Sequence, residues 1–196
     1  MSSKSATPIS KPGPDEFAPF YAGYIDRVPA SGPVALLEAQ QSAIDAFRTL
    51  HDDKATHRYA EGKWSVKEVL GHLSDAERVF CYRLLRIARA DTTPLAGFDE
   101  NAWAAVAPHH HRPIGDVVKE LLAVREATLA LIRSLDEAAL ARATVANNRA
   151  VTGRAICWIL AGHTQHHLAI LHERYGITDA LGALAVKAWE PGILGD

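Results

Sequence analysis

Four long segments of the chain carry apolar residues at spacings of three and four, and this periodicity constrains the fold more than any other feature. Such spacing lines up one apolar stripe along an α-helix, which must be buried against other elements. The segments lie at 33–50, 65–90, 113–135 and 152–175. Between them we find no convincing alternating pattern of a β-strand. The sequence therefore predicts an all-α four-helix bundle.

Local signals predict where these helices begin and end. Ser65, followed three residues later by Glu68, is the pattern of a capping box, in which each side chain bonds the other residue's backbone N–H. Pro113 suits the first position of the third helix, and Thr152 can cap the fourth. Gly176 supplies the stop of the fourth helix, because glycine readily adopts the left-handed conformation there.

Length and composition favour a single domain. With 196 residues, 48% of them hydrophobic, the chain can bury one sizeable core and does not need two. Residues 1–16 are rich in Ser, Pro and Lys and predict a flexible tail, so the domain is expected at 17–196. A short C-terminal helix is expected at 178–187. The connection at 91–108 is predicted to be long and irregular, and such connections are often functional.

The charge balance argues against several classes of partner. Lys and Arg total 21 against 23 Asp and Glu, so no bulk positive field is available for nucleic acid or an anionic membrane. No apolar run reaches the roughly 18 residues of a spanning helix, and the N-terminus lacks the core of a signal peptide. Cys81 and Cys157 form no CxxC pair. We therefore expect a cytoplasmic protein without nucleic-acid or membrane partners.

Two histidines interrupt the apolar row of the fourth helix, which reads Ile156, Leu160, His163, His167, Leu171. Residues four apart lie on one helix face with Cβ atoms about 5–6 Å apart. Two imidazoles placed this way can converge on a metal ion, with bonds of roughly 2.0–2.1 Å. The pair therefore predicts two ligands of a metal site.

His72 is a third candidate ligand, because it borders the inward row of the second helix between Val69 and Ala76. Bundles build metal sites from side chains on facing helices, and three histidines leave a position open for water or substrate. Imidazoles without thiolates suit zinc, nickel, iron, cobalt or manganese. The sequence thus predicts one divalent transition metal bound by His72, His163 and His167.

Other interpretations of the histidines stay open. An isolated HxxxH is a weak motif, and a buried histidine is often simply hydrogen-bonded into a core. His166 could replace either neighbour, although it points about 60° to one side. His172 faces away from the pair. The run at 109–111 is expected in a solvated loop, and His51 and His57 are expected at the surface.

Further residues could support such a site. Asp75 or Gln165 could orient a ligand through its second ring nitrogen. An arginine guanidinium at the mouth of the metal site could bind an anionic group, although most charged side chains on helices are solvated or paired. The candidates are Arg78, Arg83, Arg86 and Arg89. The 91–108 connection, with Phe98 and Trp103, could close over the metal or simply pack against the bundle.

Beyond these patterns, the chain resembles the DinB-like superfamily (DinB/YfiT type) of bacterial metal-binding four-helix bundles. The motifs that carry the likeness are RYAEGKWS at 58–65, EVLGHLSD at 68–75, ER at 77–78, ARAD at 88–91, PLAGFD at 94–99 and AGHTQHH at 161–167. The likeness covers nearly the whole chain after the tail. It implies the same three ligands, His72, His163 and His167. Members often carry an acidic residue where this chain has Thr164.

The resemblance also implies a class of chemistry and a homodimer. Some similar proteins are thiol-dependent transferases or isomerases that use bacterial low-molecular-weight thiols, and others are described as hydrolases. We therefore predict an enzyme whose metal activates water or such a thiol toward a small electrophilic substrate. Two alternatives stay open: a non-catalytic metal- or ligand-binding stress-response protein, and a structural dimer whose histidines are satisfied core residues.

Overall fold

The computed structural model describes residues 8–178 and confirms the four-helix bundle. The α-helices are α1 Ala22–Ile25, α2 Gly32–Ala46, α3 Asp52–Ala55, α4 Val66–Ala88, α5 Glu100–Val106, α6 Ile114–Arg133, α7 Glu137–Ala141 and α8 Gly153–Glu173. Short 3-10 turns lie at Pro19–Tyr21, Phe47–Thr49 and Pro108–His111. The long helices α2, α4, α6 and α8 pack together and enclose the core.

The predicted starts at Ser65 and Thr152 are confirmed by the cap geometry, whereas Pro113 is the N-cap of α6 rather than its first helical residue. Glu68 accepts a hydrogen bond of 2.6 Å from the backbone N–H of Ser65, and Ser65 Oγ accepts one of 3.3 Å from the N–H of Glu68. Thr152 Oγ1 accepts from the N–H of Ala155 at 3.2 Å. Gly176 has the positive φ of 66° expected beyond a helix end. Local chemistry therefore determines the helix boundaries.

A short β-hairpin, which the sequence pattern did not predict, precedes α8. Its strands are β1 Ala143–Ala146 and β2 Arg149–Thr152, joined by Asn147 and Asn148, both with positive φ. In a strand of four residues, too few positions alternate between buried and exposed for the pattern to identify the strand. The hairpin and the short helices are therefore the part of the fold that periodicity missed.

The 91–108 connection is not wholly irregular, which corrects the prediction from its composition. Leu95 donates its N–H to the carbonyl of Val145 at 2.8 Å, and its own carbonyl accepts from Asn147 at 2.9 Å. Asp99 caps α5 with its side chain. The connection is therefore held against the hairpin, and both form one rim above the bundle.

Residues near the described N-terminus contact α8, although they belong to the segment predicted as a flexible tail. Ile9 is buried, and its carbonyl accepts a hydrogen bond of 3.2 Å from Trp158 Nε1. Glu16 accepts from Arg154 Nε at 2.6 Å and from Thr152 Oγ1 at 2.8 Å. The short helix predicted at 178–187 lies outside the described residues except for Thr178. Within residues 8–178, no helix combines the length and hydropathy needed to cross a bilayer.

A fully buried arginine, Arg125 of α6, joins the four long helices. Its Nε and Nη2 donate to the two carboxylate oxygens of Glu77 on α4, each at 2.8 Å. Nη1 donates to the carbonyl of Leu37 at 2.9 Å and to Gln40 Oε1 at 3.1 Å, both on α2. Nη2 also donates to Thr164 Oγ1 on α8 at 3.0 Å. All five guanidinium protons therefore have acceptors, which satisfies the charge in the core.

We expect the loss of one partner in this pair to destabilise the fold strongly. Arg125→Met should lower the free energy of unfolding by about 3–5 kcal/mol, because it leaves the Glu77 carboxylate buried without its cation. The double variant Arg125→Met with Glu77→Leu should recover much of that loss. Urea unfolding measures both changes.

The matched control is the exposed ion pair between Arg133 and Glu38. Arg133→Met should cost at most about 1 kcal/mol, because solvent screens such a pair. Equal losses for the buried and the exposed variants would contradict the importance of the buried network.

Candidate metal centre

The structure brings His72 of α4 together with His163 and His167 of α8. Nε2 of His163 lies 3.2 Å from Nε2 of His72 and 3.1 Å from Nε2 of His167. One ligand nitrogen from each residue lies within 4.8 Å of the others. Among the described residues, these three form the group of histidine, cysteine and acidic side chains that could hold a metal ion.

The spacing of these nitrogens suits a single ion. Bonds of roughly 2.0–2.1 Å at tetrahedral angles would place ligand nitrogens about 3.3 Å apart. The observed separations of 3.1 and 3.2 Å differ little from that value. The donor set is three imidazoles, which bind zinc and its first-row neighbours. The residues present therefore fit one divalent transition metal, and any other ligand would come from outside the triad.

The protonation states also suit metal binding, which requires neutral imidazoles. Burial lowers the pKa of His72 from 6.5 to about 4. Burial, together with the neighbouring imidazoles, holds the pKa of His163 and of His167 well below 6.5. At neutral pH the triad is therefore uncharged.

Aromatic rings hold the imidazoles in place. The Trp64 ring centroid lies 4.8 Å from that of His72, and the Tyr24 ring meets His163 edge-on at 5.3 Å. Gly162 permits the second contact, because a Cβ there would lie only 1.9 Å from the Tyr24 carbonyl oxygen. Packing with α1 therefore requires glycine directly before His163.

The histidine run at 109–111 differs from its prediction, because His109 is buried rather than solvated. Its ring packs on Gly71, where a Cβ would lie 2.2 Å from His109 Cγ. Its Nε2 lies 3.2 Å from Asp75 Oδ2. Asp75 therefore contacts His109 rather than His72. The missing side chain at Gly71 is the physical reason for this placement.

Two other candidate residues stand apart from the triad. His166 packs its ring against Tyr24 at 5.3 Å and contributes no nitrogen to the cluster. Gln165 accepts a hydrogen bond from Gln40 at 3.1 Å. Thr164 Oγ1 accepts a hydrogen bond of 3.0 Å from buried Arg125.

A cavity of about 490 Å³ opens over the triad. Its aromatic lining consists of Phe20, Tyr21, Tyr24, Trp64, Phe80 and Phe98. Its polar lining, apart from the three histidines, consists of Arg83, Glu100, Asn147 and Arg149. Segments outside the four long helices thus supply much of the wall. Sequence reasoning missed Tyr24, Trp64 and Arg149 as lining residues, although Trp64 lies in the RYAEGKWS motif of the family resemblance.

Comparison with known proteins places this geometry in a family. The model of the DinB superfamily matches residues 35–171, which include all three histidines. The chain belongs to the DinB superfamily. The family resemblance inferred from the sequence motifs is therefore confirmed.

Two relatives share sequence with this chain, and one solved structure shares its fold. Two proteins named "Putative metal-dependent hydrolase", from Oceanobacillus iheyensis and Geobacillus thermodenitrificans, are each 28% identical, over 141 and 139 residues. These alignments cover 71% and 69% of this chain and 79% and 77% of the relatives. YfiT from Bacillus subtilis, described as a probable metal-dependent hydrolase with an unusual four-helix bundle topology, superposes with a TM-score of 0.65 at 19% identity. That superposition covers 83% of this chain and 95% of YfiT and shows a common fold.

We expect metal-free protein to lose stability as the pH falls from 7 to 5.5. The unfolded imidazoles have the ordinary pKa of 6.5, above the folded values, so acid favours the unfolded chain. Each buried histidine contributes up to about 1.4 kcal/mol per pH unit below 6.5, until its folded pKa is reached. Urea unfolding of chelator-treated protein at several pH values measures the slope.

The variant His166→Gln tests this explanation without altering the triad. Burial lowers the pKa of His166 to about 4, so removing this imidazole should make the slope shallower. Asn101→Gln, at an exposed position without a titrating side chain, should leave the slope as it is. Stability that stays constant between pH 7 and 5.5 would rule out the buried neutral histidines.

Proposed function

We propose that the chain is a metal-dependent hydrolase that acts on a small molecule bound in the cavity, with one divalent transition metal held by His72, His163 and His167. The observation that carries this proposal is the convergence of three Nε2 atoms at the cavity wall. The names of the two DinB relatives support the same class of reaction. Zinc, nickel, iron, cobalt and manganese all suit the ligand set.

A bound metal of this kind lowers the pKa of a coordinated water or thiol and polarises a substrate oxygen. The protein side chains orient the ligand nitrogens and limit the access of water. Trp64 and Tyr24 pack against the imidazoles, and Phe80 adds an apolar wall 5.9 Å from the His163 ring centroid. Burial raises the pKa of Tyr24 to about 12, so its hydroxyl keeps the proton at neutral pH.

A thiol-dependent transferase is the second candidate, and one observation favours it. Glu100 is the one carboxylate among the described residues that line the cavity, and it is exposed at the rim. Hydrolytic metal sites often place a glutamate beside the metal to take a proton from water. A thiolate on a metal is already deprotonated and needs no such base.

The remaining expectations concern assembly. The resemblance implies a homodimer, and we keep this as a proposal for the protein in solution. Exposed apolar side chains on the outer face of α4, Tyr82 and Leu85, are consistent with such a contact. Isolated apolar side chains are also common on monomer surfaces, so they favour dimerisation only weakly.

We expect tag-free wild-type protein to carry about one equivalent of metal by plasma mass spectrometry and His163→Ala to lose it. Replacing one imidazole leaves two ligands, too few for a site of this kind. His51→Ala, at an exposed position, is the matched control and should keep its metal. Wild-type protein that binds no metal even after reconstitution would contradict the proposal.

Turnover separates the two candidate reactions. Reconstituted wild type should hydrolyse an activated ester such as 4-nitrophenyl acetate, and both chelation and His163→Ala should abolish this activity. If the rate instead depends on an added small thiol and an electrophile such as chlorodinitrobenzene, the transferase is correct. Stoichiometric metal with neither activity on a broad panel would favour a non-catalytic metal-binding protein.

A further inference from the structure

We propose that the cavity holds its ligand by a carboxylate, which binds Arg83, with the ligand's apolar body lying against the aromatic wall. This inference rests on the proposed function, because it assigns a substrate class to the same cavity. The predicted ligand is a small carboxylic acid whose reacting group lies nearer the triad. Four observations about Arg83 and its surroundings support it.

Arg83 lies on the cavity side of α4. It follows His72 by about three helical turns, so both residues share a face of the helix. Arg83 is only 4% exposed, yet it lines the cavity. The cation is therefore withdrawn from bulk water but reachable by a ligand.

The guanidinium of Arg83 is incompletely paired. Its Nη2 donates to the carbonyl of Ala96 at 2.9 Å. Among residues 8–178, no carboxylate lies within ion-pair distance of it, and no acceptor bonds its Nε or Nη1. Arg125, which is also buried, differs because Glu77 and its other partners satisfy all five protons. A buried cation without an anion is costly, and an anionic ligand would remove that cost.

Two phenyl rings hold the guanidinium in one orientation. Cζ of Arg83 lies 5.7 Å from the ring centroid of Phe80 and 6.0 Å from that of Phe98. A planar guanidinium in a fixed position suits two parallel bonds to a carboxylate. Phe80 also lies 5.9 Å from the His163 ring, so one phenyl ring separates the cation from the triad. A ligand with a body of about one phenyl ring between its carboxylate and its reacting group can therefore contact both Arg83 and the triad.

The other charges of the cavity lie at its rim and oppose each other. Arg149 and Glu100 are both exposed and carry opposite signs. At the rim, Gly97 packs closely against Asn147, because a Cβ on Gly97 would lie 2.3 Å from Asn147 Oδ1. Preference for an anion inside the cavity therefore depends on Arg83, and Glu100 weakens it.

The test compares phenylpropanoate with its neutral isostere phenylpropanamide by isothermal titration calorimetry. Wild-type protein should bind the acid roughly tenfold or more tightly than the amide, the effect of a hydrogen-bonded charge pair. Arg83→Gln should remove this preference. Arg142→Gln is the matched control, because Arg142 also donates to a backbone carbonyl, that of Ala88, but does not line the cavity.

Glu100→Gln is a second variant, at an exposed position where a folding defect is not expected. It should tighten binding of the acid roughly twofold and leave the amide unchanged, because it removes a screened like charge. Circular dichroism melting of each variant checks that the fold is retained. An Arg83→Gln protein that keeps the wild-type preference overturns the proposal, as does wild type that binds neither probe at millimolar concentration.

A carboxylate could instead bind the metal, so each titration is made with zinc-loaded and with chelator-treated protein. A preference that survives chelation and disappears in Arg83→Gln supports the carboxylate site. A preference that disappears on chelation and survives in Arg83→Gln overturns it but leaves the metal centre intact. The metal centre itself is tested separately, by the metal content of wild type and of His163→Ala.

Discussion

The bidentate pair between Arg125 and Glu77 is the interaction on which the rest of the structure depends. It lies in the core and reaches all four long helices through Leu37, Gln40 and Thr164. A helix that slid by one turn would leave a buried charge without its partner, which costs far more than a shifted apolar contact. The pair joins α6 to α4, which carries His72, and the bond from Arg125 to Thr164 adds α8, which carries His163 and His167.

The core contains three kinds of buried polar group. Every guanidinium proton of Arg125 has an acceptor, and Glu77 supplies the counter-ion. The three histidines are neutral at pH 7 because burial lowers their pKa values, and their ligand nitrogens lie within 4.8 Å of one another. The Arg83 guanidinium has one carbonyl, that of Ala96, as its hydrogen-bond partner. The first arrangement stabilises the bundle, whereas the other two leave imidazole nitrogens and guanidinium protons available to bind a metal and a ligand.

Elements outside the four long helices turn this polar cluster into a cavity. The N-terminal aromatic segment, the 91–108 connection and the hairpin supply walls that the bundle lacks. Their backbone contacts, from Leu95 to the hairpin and from Tyr24 to Gly162, hold these walls close to the helices. Variation in such segments would change the ligand while preserving the triad, because a site can change while its fold is kept.

The sequence by itself determined the four long helices, their caps and the three histidines. These features are local, since a helix stripe repeats every three or four residues and His163 and His167 are one turn apart. Only the tertiary structure decided the pairing of Arg125 with Glu77, the burial of His109 and the position of Arg83 at the cavity. In sequence, Glu77 and Arg125 look like ordinary surface charges on amphipathic helices, and Arg83 is one of four candidates for an anion site. Whether a charge meets solvent or a partner 48 positions away depends on how helices pack, which no local pattern records.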